Sequence, residues 1–262
     1  MGKSVDKTKL EFGAHPPVWC NALSVEEEET IKEIYKFFVV NTPCKDVSAM
    51  SVPISSYGWT EDTPPKDGYL QKRICEAAGL VKDSNLFIGN EREDMKALFT
   101  AAAMDESFTD KYTENRIAIL INGNLLMELF RNIRNSFAHC RFCLKKVEGD
   151  MIFAMENGAV NGSTCEIKSR MIIKKSTFEE WIRIIKNEAA TEKALLKAEQ
   201  EKLKQDIIAT VSNEEVRSIA QLATLIGTEE NVINSFNKNN KGIIEYSRHE
   251  KKWVLSAPEG AE

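Results

Sequence analysis

Residues Tyr112–His139, YTENRIAILINGNLLMELFRNIRNSFAH, carry the best-defined helical pattern in the chain. Ile117, Leu120, Leu126, Leu129, Ile133 and Phe137 recur at helical spacing, which predicts one long helix ending near His139. On a helical wheel at roughly 100° per residue, Leu126, Phe130, Ile133, Phe137 and Cys140 share one side. Asn124, Glu128, Arg131, Asn135 and His139 line the other, with Arg134 beside them and the small Ala138 near the centre. A water-facing stripe is the default meaning of such amphipathicity. Solvated stripes favour Lys and Glu, however, whereas this one mixes Arg, Asn and His around an alanine. His139 also falls at the expected helix end, where the helix dipole favours positive charge.

On the N-terminal side, Ser24 and Glu27 form a capping box, and Ile31, Ile34, Tyr35 and Phe38 follow at helical spacing. The acidic run Glu26–Glu29 suits a first helical turn. Pro43, Pro53, Pro64 and Pro65 rule out a helix across the next stretch. Asp67–Val81 and Arg92–Met104 then read as two helices, with turn residues and a short apolar piece between them. On the C-terminal side, Leu144–Val147, Met151–Met155 and Glu166–Ile173 read as short strands of a hairpin or meander. Ser176 and Glu179 form a second capping box, opening a long helix through Trp181, Ile182 and Ile185. This helix turns rich in Glu, Lys and Ala over 191–204, the composition of a solvated linker.

Leu203–Val211, Ser218–Gly227 and Thr228–Phe236 then read as three helices. Ile243–Tyr246 and Trp253–Leu255 read as two strands joined by a turn holding His249. Helix, helix, helix, hairpin is the order of a winged helix. Lys238, Lys241, Arg248, Lys251 and Lys252 cluster toward the wing and are candidate DNA contacts. Glu229 and Glu230 open the would-be recognition helix and oppose that reading. The expected architecture is therefore mainly α with small β elements: a flexible arm (1–23), a helical domain with a β insertion (24–190), a helical linker (191–204) and a winged-helix-like domain (205–257).

The chain of 262 residues has a formal net charge of -5, which excludes coating nucleic acid by bulk charge. The N-terminus lacks the apolar core of a signal peptide, and Asp6 stands where myristoylation wants Ser or Thr. The longest apolar run, Ile117–Ile121, is too short to span a bilayer. A soluble, cytoplasmic protein with no membrane contact is expected. Its six cysteines then read as reduced thiols. Cys140 and Cys143 form a single CxxC, too few ligands for a zinc site, so no metal or cofactor is expected. No nucleotide-binding glycine loop is present.

Arg134-Asn135-Ser136-Phe137-Ala138-His139 resembles the ribonuclease signature of the HEPN superfamily, Arg and a polar residue followed by His. The surrounding Ile133–Phe142 is similar to the form found in plasmid and phage-defence members. The resemblance implies a helical bundle, a homodimer and metal-independent cleavage of RNA, with Arg134, Asn135 and His139 catalytic. Chemically, an imidazole serves as a base near neutral pH. A guanidinium grips two phosphate oxygens at once. Arg131, Arg141 and Asn124 are further candidate RNA contacts. Two readings stay open. One is a toxin- or defence-associated endoribonuclease, with a neutralising partner protein. The other is a non-catalytic HEPN and winged-helix scaffold that binds nucleic acid.

Overall fold

The computed structural model describes residues 25–45, 47–59, 69–90, 95–105, 108–147, 149–161, 164–240 and 243–256. The arm 1–23 with His15, Ser24 of the first capping box and Lys241 lie outside the described residues. The chain divides into two compact units, 1–189 and 190–262.

The long helix expected over Tyr112–His139 is two elements. Arg116–Ile121 is strand β2, and Leu125–Ala138 is helix α4. Ile117, Ala118, Ile119 and Leu120 are all buried. Ile117 and Ile119 enter one core and Ala118 another, the mark of a strand covered on both faces. Such a strand is an unbroken apolar run that spacing alone cannot tell from a buried helix. The decisive signal is Asn122-Gly123-Asn124. Gly123 has φ +99°, which L side chains rarely adopt, and Asn124 restarts the chain as an N-cap.

That strand corrects the fold class. The unit is not a mainly helical bundle with a small hairpin, but an α/β fold built on a five-stranded mixed sheet. Three of its strands, β3 (Phe142–Val147), β4 (Asp150–Asn161) and β5 (Thr164–Lys174), form the expected meander. The apolar piece before residue 90 is a fourth, β1 (Leu86–Asn90). The order is β1-β2-β5-β4-β3; β1 and β2 are parallel and the remaining pairs antiparallel.

Period-two alternation sends Met151, Phe153, Met155, Met171 and Ile173 to one face and Ile152, Ala154 and Ile172 to the other. The first face packs against α4, α1 (Val25–Tyr35), α2 (Tyr69–Ala77) and α5 (Lys175–Asn187). Trp181 on α5 is fully buried and donates its indole N–H to the Ile74 carbonyl at 2.8 Å. The second face is covered by Phe99, on α3 (Met95–Ala101), with Ala102, Met104 and Phe108. Arg170 is buried there, pairing with Glu156 at 2.9 Å and lying over the rings of Phe99 and Phe108.

Other local expectations shift by a few residues. On α1 and the turn after it, Ile34 and Phe38 are buried as the spacing implies, but Tyr35 is not. The second capping box does not cap, since α5 starts at Lys175 and the Ser176 hydroxyl instead donates to Asp150. Its helix breaks at Glu188, and the Glu/Lys/Ala-rich stretch belongs to α6 (Ala189–Asn213). Hydrogen bonds from Arg73 and Arg183 hold the Glu188 carboxyl below the usual carboxylate range at that break.

The second unit has α6, α7 (Ile219–Ile226), α8 (Glu230–Asn239), β6 (Ile244–Ser247) and β7 (Lys252–Leu255). Ile207, Val216, Leu222, Ile233, Phe236 and Ile244 form its core. The Ser218 hydroxyl caps α7 by accepting from the Gln221 N–H, and Gly227 closes the helix in the left-handed region. The Trp253 N–H donates to the Val216 carbonyl at 2.7 Å, tying the segment before α7 to the hairpin. Among the described residues no helix is long and apolar enough to cross a membrane.

Candidate functional site on helix α4

Helix α4 turns two polar surfaces in different directions. Leu126, Leu129, Phe130, Ile133 and Phe137 face the core, and Asn132 and Ser136 are buried with them. The Asn132 carboxamide oxygen accepts from Asn157 Nδ2 at 2.6 Å and from Ser169 Oγ at 2.9 Å. Its Nδ2 donates to the Glu128 carbonyl at 2.7 Å, and Ser136 Oγ donates to the Asn132 carbonyl at 2.8 Å. This network fastens the helix to β4 and β5. Sequence spacing missed it, although two polar residues at i and i+4 beside Ile133 are its trace.

The predicted stripe lies on the accessible side. Arg131, Ala138 and His139 are exposed, and Asn124, Glu128, Arg134 and Asn135 are half-buried. Several of these residues have local tasks. Asn124 is the N-cap and accepts the Met127 N–H at 3.1 Å, so its carbonyl oxygen is engaged. Arg131 forms an ion pair with Glu128. Arg141 donates to the Gly158 carbonyl, while its own carbonyl accepts the Glu156 N–H at 2.9 Å. Arg141 therefore pins the helix end to β4.

Arg134 and Asn135 are brought together, Nη1 donating to Oδ1 at 3.0 Å. The Nε of Arg134 is buried without a hydrogen-bond partner, an unmet donor at the edge of the stripe. His139 is the C-cap of α4. Its backbone N–H donates to Asn135 at 3.0 Å, while the Cys140 N–H reaches Phe137 at 3.1 Å and the Arg141 N–H reaches Ser136 at 2.8 Å. With Cys140 at φ +53°, this is a Schellman closure carrying cysteine where glycine is usual. The histidine thus sits on a fixed helix end with its ring in solvent. No side-chain hydrogen bond joins Arg134 to His139, and on an ideal helix they point roughly 140° apart.

Three of the described cysteines are buried or half-buried thiols. Burial pushes the Cys44 thiol up to about 12 and Cys75 to about 11, and raises Cys143. Cys140 is not on the helix face as expected but exposed beyond the helix end. Cys143 packs on the sheet face away from α4. Among the described residues no cluster of three or more His, Cys, Asp or Glu could hold a metal ion.

In the second unit Lys238 is exposed in the last turn of α8, and Arg248 and Lys251 are exposed in the turn between β6 and β7. Lys252 is half-buried and paired with Glu250 at 2.8 Å. Acidic and basic residues balance over 203–257. Trp253 packs against Tyr246 at the core edge.

No protein-family model matches the chain, and no curated protein or solved structure is significantly similar to it.

Proposed function

We propose that this protein is a metal-independent endoribonuclease of the kind its Arg134–His139 segment resembles, acting in the cytoplasm with RNA as substrate. The resemblance now rests on that motif alone, because the bundle it implied is absent. The observation that carries the reading is that His139 is exposed on a closed helix end, one turn after an Asn135 that Arg134 engages. The ribose 2′-oxygen attacks the adjacent phosphorus while the imidazole takes its proton. The guanidinium balances charge on the phosphoryl oxygens. The 5′-oxygen leaves with a proton returned from the imidazole, giving a 2′,3′-cyclic phosphate and a 5′-hydroxyl. Because Arg134 and His139 diverge on one helix, a homodimer places one copy's guanidinium beside the other copy's imidazole.

A second reading has its own support. Arg134 already donates to Asn135, and the second unit has winged-helix element order with Lys238, Arg248 and Lys251 exposed. On that reading the protein binds nucleic acid without cutting it. An RNA-cleavage assay in EDTA on the full chain separates the two. The ribonuclease reading expects cleavage that Arg134→Ala or His139→Ala abolishes. Undiminished cleavage by both variants contradicts it. Intact RNA together with a salt-sensitive shift of duplex DNA favours the second reading.

A further inference from the structure

Tyr35 is 42% exposed, the only aromatic among the exposed large apolar side chains of the first unit's described residues. Its position is nevertheless fixed. Ile34, Phe37, Phe38 and Val39 on either side are buried, and its ring packs edge-on against Phe137 with centroids 6.1 Å apart. Phe137 in turn packs against Phe142, Phe153 and Phe178, so a rigid aromatic cluster lies beneath the exposed ring. Phe137 stands three residues after Arg134 and directly before the exposed Ala138, which is four after Arg134. Residues three and four apart are neighbours on a helix surface. Tyr35 thus meets α4 at Phe137, a neighbour of Arg134 that points roughly 160° from His139 on an ideal helix. The acidic first turn of α1, Glu26–Glu28, lies about two turns further back along the helix.

We propose that Tyr35 is a nucleobase platform, stacking an unpaired base next to the phosphate that Arg134 holds. An exposed ring on a fixed support stacks on any base at little entropic cost, the way proteins grip single strands. Stacking also requires a splayed base, so the substrate is single-stranded RNA, a loop or an end, not a duplex. This inference rests on the ribonuclease reading and names its substrate class.

The test compares Tyr35→Leu and Tyr35→Trp, since leucine still covers Phe137 but cannot stack. Binding of a short single-stranded RNA is measured by anisotropy in the full chain carrying His139→Ala, which leaves the RNA uncut. Tyr35→Leu is expected to weaken binding about tenfold or more, and Tyr35→Trp to keep it. The same RNA made abasic throughout should bind the Leu variant and its parent equally. In the otherwise unaltered protein, Tyr35→Leu should raise KM with little change in kcat, at an unchanged melting temperature. Cleavage and binding by Tyr35→Leu equal to the parent, or the same loss on abasic RNA, overturns the platform alone. Absence of RNA cleavage by the unaltered protein overturns the ribonuclease reading and the platform with it.

Discussion

Asn132 and Asn135 lie less than one helical turn apart on α4, yet their surroundings differ in kind. Asn132 is 2% exposed and meets Asn157, Ser169 and Glu128 with short hydrogen bonds. Asn135 is half-buried, beside an arginine with an unmet donor, an exposed alanine and an exposed histidine. The inner polar residues are satisfied by the fold, which makes them structural. The outer side carries the exposed Arg131 and His139, and an exposed polar group on a rigid support is what a substrate can reach. Residue type alone does not separate the two asparagines; their partners do.

Four substitutions break or sharpen that contrast. His139→Ala removes the outer imidazole and should lower RNA cleavage by about a hundredfold to ten-thousandfold, with the melting temperature unchanged. Asn132→Ala strips the acceptor from Asn157 Nδ2 and Ser169 Oγ inside the core. Its expected cost is about 2–4 kcal/mol in denaturant unfolding, while cleavage per folded molecule persists. Gly123→Ala tests the turn that separates strand from helix. An added Cβ meets nothing within 4 Å, so the effect is backbone strain at φ +99°, about 1–2 kcal/mol of destabilisation. Cys140→Gly is the smallest change and has the opposite sign. Relief of the left-handed conformation at an exposed position should stabilise the fold by about 1 kcal/mol, leaving cleavage intact.

Legibility from sequence followed the range of the interactions involved. The meander strands and the second unit's element order were readable because capping residues, glycines and short alternations are local signals. β2 was not, because Ile117–Ile121 is apolar on both sides and pairs with β1 and β5, and its one local mark is the Asn122-Gly123-Asn124 turn that follows it. That one element converts an expected bundle into a sheet-centred unit. At the site, the stripe from Arg131 to His139 could be read from spacing. The Arg134 side chain's engagement with Asn135, the use of Asn124 as a cap and the left-handed Cys140 could not, since they depend on where α4 starts and stops and on how its side chains turn. Tyr35 looked like a core residue by spacing, and only the packing of α1 turned it outward.

The most direct measurement is the rate of single-stranded RNA cleavage in EDTA, per folded molecule, for the unaltered chain and for His139→Ala. If the outer surface of α4 is an RNA-cutting site, the first cuts to cyclic-phosphate ends and the second falls at least about a hundredfold behind. Equal rates for the two proteins, or intact RNA with the unaltered chain, would contradict it.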